Sequence, residues 1–142
     1  MYSYTGAMTK RRVFFSRMVA AALGAFSDVR GQQPVSTPRL LFEQDLSGPF
    51  LGWVLTATEV YYPPGVLSGR HRHSGFVLGY VLQGPYKFQV AGGEERVLET
   101  GQVFHEQLGS IHTVSGAADP KRPARILAVI VGEKGKPTTA PA

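Results

Sequence analysis

The stretch Ser68–Gly84, SGRHRHSGFVLGYVLQG, decides how this chain is read. His71 and His73 are one residue apart, and a run of apolar and small residues follows them. On a β-strand successive side chains point to opposite faces, so both imidazoles project from one face, roughly 7 Å apart along the chain, while Arg72 points away. Taken alone such a pair reads as a polar strand edge, and as a metal site it needs further ligands; the chain has four histidines in all. The other two, His105 and His112, lie in GQVFHEQLGSIHTV, Gly101–Val114, which reads as strand, turn and strand.

The residues around these segments repeat the same grammar. From Arg39 onward no helical period is found, whereas short apolar or alternating runs recur between turns rich in glycine and proline. The expected strands are 40–45, 51–61, 69–73, 76–82, 86–91, 95–100, 102–106, 111–115 and 124–131. Pro63-Pro64-Gly65 stops the second of them, because proline cannot donate to a ladder. Gly92-Gly93 marks a hairpin, since glycine accepts the positive φ of primed turns. The expected class is therefore all-β, a sandwich or jelly roll, over residues 32–132, with a polar tail at 133–142 running over the surface.

Composition removes several other functions. The formal charge is +5, but Lys10, Arg11, Arg12, Arg17 and Arg30 against Asp28 place +4 of it in residues 1–31. The remaining body is close to neutral, without the concentrated positive field that nucleic acid binding requires. With no cysteine, disulfides, thiolate metal sites and thiol nucleophiles are excluded. No apolar run reaches the roughly 20 residues of a membrane span.

Residues 1–31 have the layout of an export signal: basic residues, a modest apolar stretch and small residues at its end. Lys10-Arg11-Arg12-Val13-Phe14-Phe15 resembles a twin-arginine motif, although Lys10 stands where a hydroxyl residue is usual and Arg17 interrupts the apolar run. The expectation is a periplasmic or secreted protein cut after Ser27 or Gly31, with Met8 an alternative start.

The glycine spacing around the histidines makes the reading specific. Gly65, His71, His73, position 77 and Gly84 form one pattern, and Gly101, position 107, Gly109 and His112 form a second, separated by 16 residues. Together they resemble the two motifs of the cupin superfamily, whose fold is a double-stranded β-helix or jelly-roll barrel. Three positions depart from the family pattern: Val77 replaces its metal-binding glutamate, Gln107 its proline and Gly116 its asparagine. The resemblance thus implies metal-ligand roles for His71, His73 and His112, as in the three-histidine variant of some non-haem iron dioxygenases of the superfamily.

Glu106 is the candidate to restore a carboxylate, as ligand, as hydrogen-bond acceptor for a ligand imidazole, or as a proton-transfer group. The Leu108-Gly109 turn breaks the alternation, so parity does not say whether Glu106 faces inward. His105 has the opposite parity and is expected to be structural or exposed. Trp53, Tyr61, Phe76, Tyr80 and Phe88 are expected to pack the core or line a small apolar cavity.

Three imidazoles suit a divalent transition metal and leave positions open for water, substrate or dioxygen. Iron or manganese is favoured over zinc, nickel or copper, because the twin-arginine route carries folded proteins and lets the ion be loaded in the cytoplasm. The expected function is a small-molecule metalloenzyme of the oxygenase type, with a non-catalytic metal or ligand-binding module as the alternative. Substrates bringing their own oxygen anion suit the missing glutamate; Arg70 or Arg72 would orient one if turned inward, but both are expected to be solvated. The expected partners are a small-molecule ligand and, from the family resemblance, a second copy of the chain.

Overall fold

A computed structural model describes residues 35–142, so the export-signal reading of residues 1–31 lies outside the described residues. Ten strands make up the domain: β1 (Thr37–Asp45), β2 (Trp53–Tyr62), β3 (His71–His73), β4 (Gly75–Gln83), β5 (Tyr86–Val90), β6 (Arg96–Leu98), β7 (Val103–Glu106), β8 (Ile111–Ala117), β9 (Ala124–Glu133) and β10 (Thr139–Pro141). They form two five-stranded antiparallel sheets, ordered β1-β2-β9-β4-β7 and β10-β3-β8-β5-β6. This is the jelly-roll arrangement expected from the sequence, and the first nine strands correspond one to one with the expected runs. No helix among the described residues is long and apolar enough to cross a membrane.

Alternation fixes what each sheet buries. Along β9, Ala124, Ile126, Ala128 and Ile130 are buried and face Val77 and Val81 of β4. The larger apolar cluster, around Tyr62, Val81, Tyr86, Phe88, Phe104 and Ile126, fills one end of the barrel. Only Val77, Ala128 and Ile130 form the smaller cluster at the other end, where the histidines lie. The barrel is therefore solid at one end and hollow at the other.

Gly79 belongs to the solid end. It pairs with Phe104 across β4 and β7, and a Cβ at this position would come within 2.0 Å of the Phe104 ring. That ring is held between Tyr86 and Phe88, at centroid distances of 5.3 and 4.6 Å, and has little room to retreat. Gly79→Ala is expected to destabilise the fold by about 1–3 kcal/mol through overpacking, measured as a lower midpoint in urea at unchanged slope.

Two expectations change. Phe76, Tyr80 and Tyr61 do not line a cavity but lie on the outer face, at 47, 42 and 39% exposure. The inward positions of β4 are Gly75, Val77, Gly79 and Val81, so its even-numbered side chains all point outward. The tail does not simply run over the surface either. Its end forms β10, which pairs with β3 through Thr139↔His73, Ala140↔Arg72 and Pro141↔His71.

Candidate metal centre

His71 and His73 reach the barrel interior from β3, as alternation required, and Arg72 between them is exposed. His112 sits opposite His71 in the β3–β8 ladder. One ring nitrogen from each of the three histidines falls within 4.8 Å of the others. The structure thus brings together the three residues that the family resemblance implied, although they span 42 positions of sequence from His71 to His112.

Neighbouring backbone groups set the tautomers. His71 Nδ1–H donates to the Gly69 carbonyl at 2.8 Å, and His73 Nδ1–H donates to the Thr138 carbonyl at 3.0 Å. A carbonyl only accepts, so in both rings the proton is held on Nδ1 and the Nε2 lone pair is free. Burial holds His71 below the ordinary imidazole range, helped by the neighbouring His112 and His73 and opposed by the Gly69 contact. Its neutral form is the one that coordinates a metal.

Glu106 answers the question left open by parity. Its side chain is buried, 4% exposed, while His105 is exposed as expected. In the β4–β7 ladder Glu106 is the direct partner of Val77. The carboxylate missing from position 77 is therefore matched by one on the adjacent strand, entering the same cavity from the neighbouring pleat. The turn after it is closed by Ser110 N–H donating to the Gln107 carbonyl at 3.0 Å, with Gly109 at φ +79°, and β8 then returns His112 to the site.

Glu106 Oε1 lies 3.2 Å from His112 Nδ1 and 3.9 Å from His73 Nε2. Neither contact has hydrogen-bond alignment. Both Glu106 oxygens and both His112 nitrogens are buried without a hydrogen-bond partner. Such groups are costly inside a protein, and a divalent cation held by the three histidines would engage one His112 nitrogen and place a positive charge beside the Glu106 carboxylate. The donor set, three imidazoles and one carboxylate, fits a transition metal.

The surrounding cavity measures about 380 Å³. Val77, Phe104 and Ala128 give it apolar walls, and Arg70 and the β10 residues lie at its rim. Two further lining residues, Tyr62 and Ser115, were not anticipated. Tyr62 was within reach of the alternation in β2, where the buried Thr56 and Tyr62 share parity and Tyr61 faces out. Ser115 was not, because a register shift between Gln89 and Val90 against β8 puts His112 and Ser115, three residues apart, on the same face.

Among solved structures, the fold is similar to the DMSP lyase DddQ from Ruegeria pomeroyi DSS-3, with a TM-score of 0.62 and 24% identity over 76% of this chain and 52% of that one. This chain thus spans about half the length of that lyase. A cupin-like protein from Thermotoga maritima MSB8 superposes with a TM-score of 0.60 and 21% identity over 75% of each chain. KdgF from Halomonas sp. does so at 0.56 and 18%, over 73% of this chain and 84% of that one. Identities this low show a shared fold alone. No curated protein sequence matches significantly. The family model for the cupin domain matches residues 58–130, which contain all three clustered histidines and Glu106. With its two-sheet barrel and this match over half its length, the chain belongs to the cupin superfamily.

Proposed function

We propose that this cupin is a small-molecule metalloenzyme holding one divalent transition-metal ion through His71, His73 and His112, with Glu106 supplying the carboxylate absent at Val77. The observation that carries this reading is the buried pair Glu106 and His112, whose four polar side-chain atoms have no hydrogen-bond partner. A polar group left unsatisfied in the interior costs about 1–3 kcal/mol, and more when charged. Bound here, the ion would supply Lewis acidity and, as iron, a place for dioxygen.

The chain's own residues do the rest. The Gly69 and Thr138 carbonyls hold two imidazoles in the binding tautomer. Glu106 offsets part of the positive charge, and Val77 and Phe104 keep the cavity wall dry. Arg70 at the rim favours an anionic substrate. Export in the folded state, with iron or manganese loaded beforehand, belongs to the same proposal and rests on the Lys10–Phe15 motif. Element analysis of the purified protein tests it: one equivalent of iron or manganese per chain supports the reading, and a metal-free protein that takes up no added ion overturns it. Dioxygen uptake with candidate organic acids then separates oxygen-using chemistry from redox-neutral Lewis-acid chemistry, and metal binding without any turnover would leave the binding-module alternative.

A homodimer is part of the proposal. The outer face of the first sheet supports it, because Phe76, Leu78, Tyr80 and Leu82 are 39–55% exposed, and Val103 beside them is 59% exposed. Contiguous apolar surface of this kind is the mark of an interface. Light scattering after size exclusion is expected to give about twice the chain mass of 15.4 kDa. Leu78→Glu is expected to shift that to one chain.

A further inference from the structure

The histidines and Glu106 occupy one end of the cavity, and the other end has a polar group of its own. Tyr62 Oη and Tyr86 Oη lie 2.7 and 2.8 Å from Ser115 Oγ. All three residues are buried, Tyr86 at 0% and Ser115 at 2% exposure. Tyr62 and Ser115 line the cavity, with Tyr86 behind them. Burial pushes both phenols above their ordinary range, so both stay protonated donors.

Counting hydrogens shows what this cluster lacks. A chain of hydroxyls holds one hydrogen per oxygen but one contact fewer, so one O–H is always left over. Tyr86 lies away from the cavity with Ser115 as its hydrogen-bond partner, and the arrangement that leaves no O–H unpaired behind the cavity wall has Tyr86 donating. The surplus hydrogen therefore falls on Ser115 or Tyr62, both on the cavity wall. Ser68, which also lines the cavity, has its hydroxyl 3.5 Å from that of Ser36. Glu106, the one carboxylate among the lining residues, is hydrogen-bonded to none of them.

We infer that Tyr62 and Ser115 form a second polar pole that donates one hydrogen bond to an acceptor oxygen of the substrate. The substrate is then a short oxygenated compound with an acceptor at each end and an apolar middle. His112 lies opposite Val90 and Ser115 opposite Phe88, two residues apart on β5, which sets the poles roughly 7 Å apart along the strand. Val60, Val77, Phe104, Ile126 and Ala128 line the space between them. A volume of about 380 Å³ suits a small ligand. The inference rests on the proposed metal centre only for the acceptor at the histidine end.

The test uses the full chain, titrated first with zinc and then with 4-oxopentanoate or 4-methylpentanoate, which differ only in a carbonyl oxygen or a methyl group at C4. The wild type is expected to bind the keto acid about tenfold more tightly, because the methyl group leaves the surplus donor unsatisfied. The triple variant Tyr62→Phe/Ser115→Ala/Tyr86→Phe replaces the cluster by apolar groups of similar shape and orphans no donor. In it the preference is expected to fall to within about twofold while zinc affinity holds. Tyr61→Phe, whose phenol lies outside the barrel, serves as control and keeps the preference. Equal binding of the two acids by the wild type, or a preference retained in the triple variant, overturns the inference. Should the triple variant fail to fold, the wild-type ratio alone decides. Failure of zinc to bind overturns the metal reading instead, and the ratio measured on the zinc-free chain then judges the hydroxyl pole.

Discussion

Replacing His112 with alanine is expected to abolish stoichiometric metal binding, weakening affinity by more than about a hundredfold, since loss of even an outer partner costs ten- to a hundredfold. His112 is the most buried of the three candidate ligands, 2% exposed, and packs edge-on against Phe88 at 5.0 Å between ring centroids. Its two nitrogens have no hydrogen-bond partner, so the metal-free protein gains nothing polar from the ring. The metal-free variant should therefore lose only packing, about 1–3 kcal/mol, while the wild type alone should gain stability on metal addition. At a metal concentration a hundred times the dissociation constant that gain is about 2.7 kcal/mol. Thermal melts with and without metal check both parts. A variant that still gains stability with added metal would show that His112 is no ligand.

Glu106→Leu is expected to act in opposite directions on stability and on binding. In the metal-free protein the carboxylate is buried opposite Val77 with both oxygens unsatisfied. An apolar side chain of similar size removes that cost and extends the Val77, Ala128 and Ile130 cluster. Stability without metal should rise by about 1–3 kcal/mol. Metal affinity should fall at least tenfold, because the site loses its one anionic group. Denaturant unfolding and metal titration measure the two effects independently. A loss of metal-free stability would mean that Glu106 is satisfied in solution and would remove the main support for the metal reading.

The particular residues explain how far the sequence could be read. Alternation is a local property of a strand, and it placed His71 and His73 on one face with Arg72 outside. Proline and glycine act through backbone dihedrals that need no distant partner, which is why the strand boundaries around Pro63–Gly65 and Gly92-Gly93 were legible. The outward aromatics Phe76 and Tyr80 were not, since a β-strand's two faces look alike until it is known which one meets the opposite sheet. The pairing of β10 with β3 was hidden for a related reason. A polar tail carries little periodic signal, and its docking is specified mainly by the edge of β3 that it meets.

By itself the sequence determined the all-β class and the shared face of His71 and His73, because residue type and period 2 are read along one strand or turn, while the cupin resemblance implied His112 as third ligand and Val77 as a lost carboxylate. Tertiary structure decided that Glu106 enters the site beside Val77, that a shift in β8 register turns Ser115 inward, and that Tyr62 closes the far end of the cavity. Each of these depends on register between strands distant in sequence, and register is settled by the packing of whole sheets, where a slip of one residue turns every side chain to the other face.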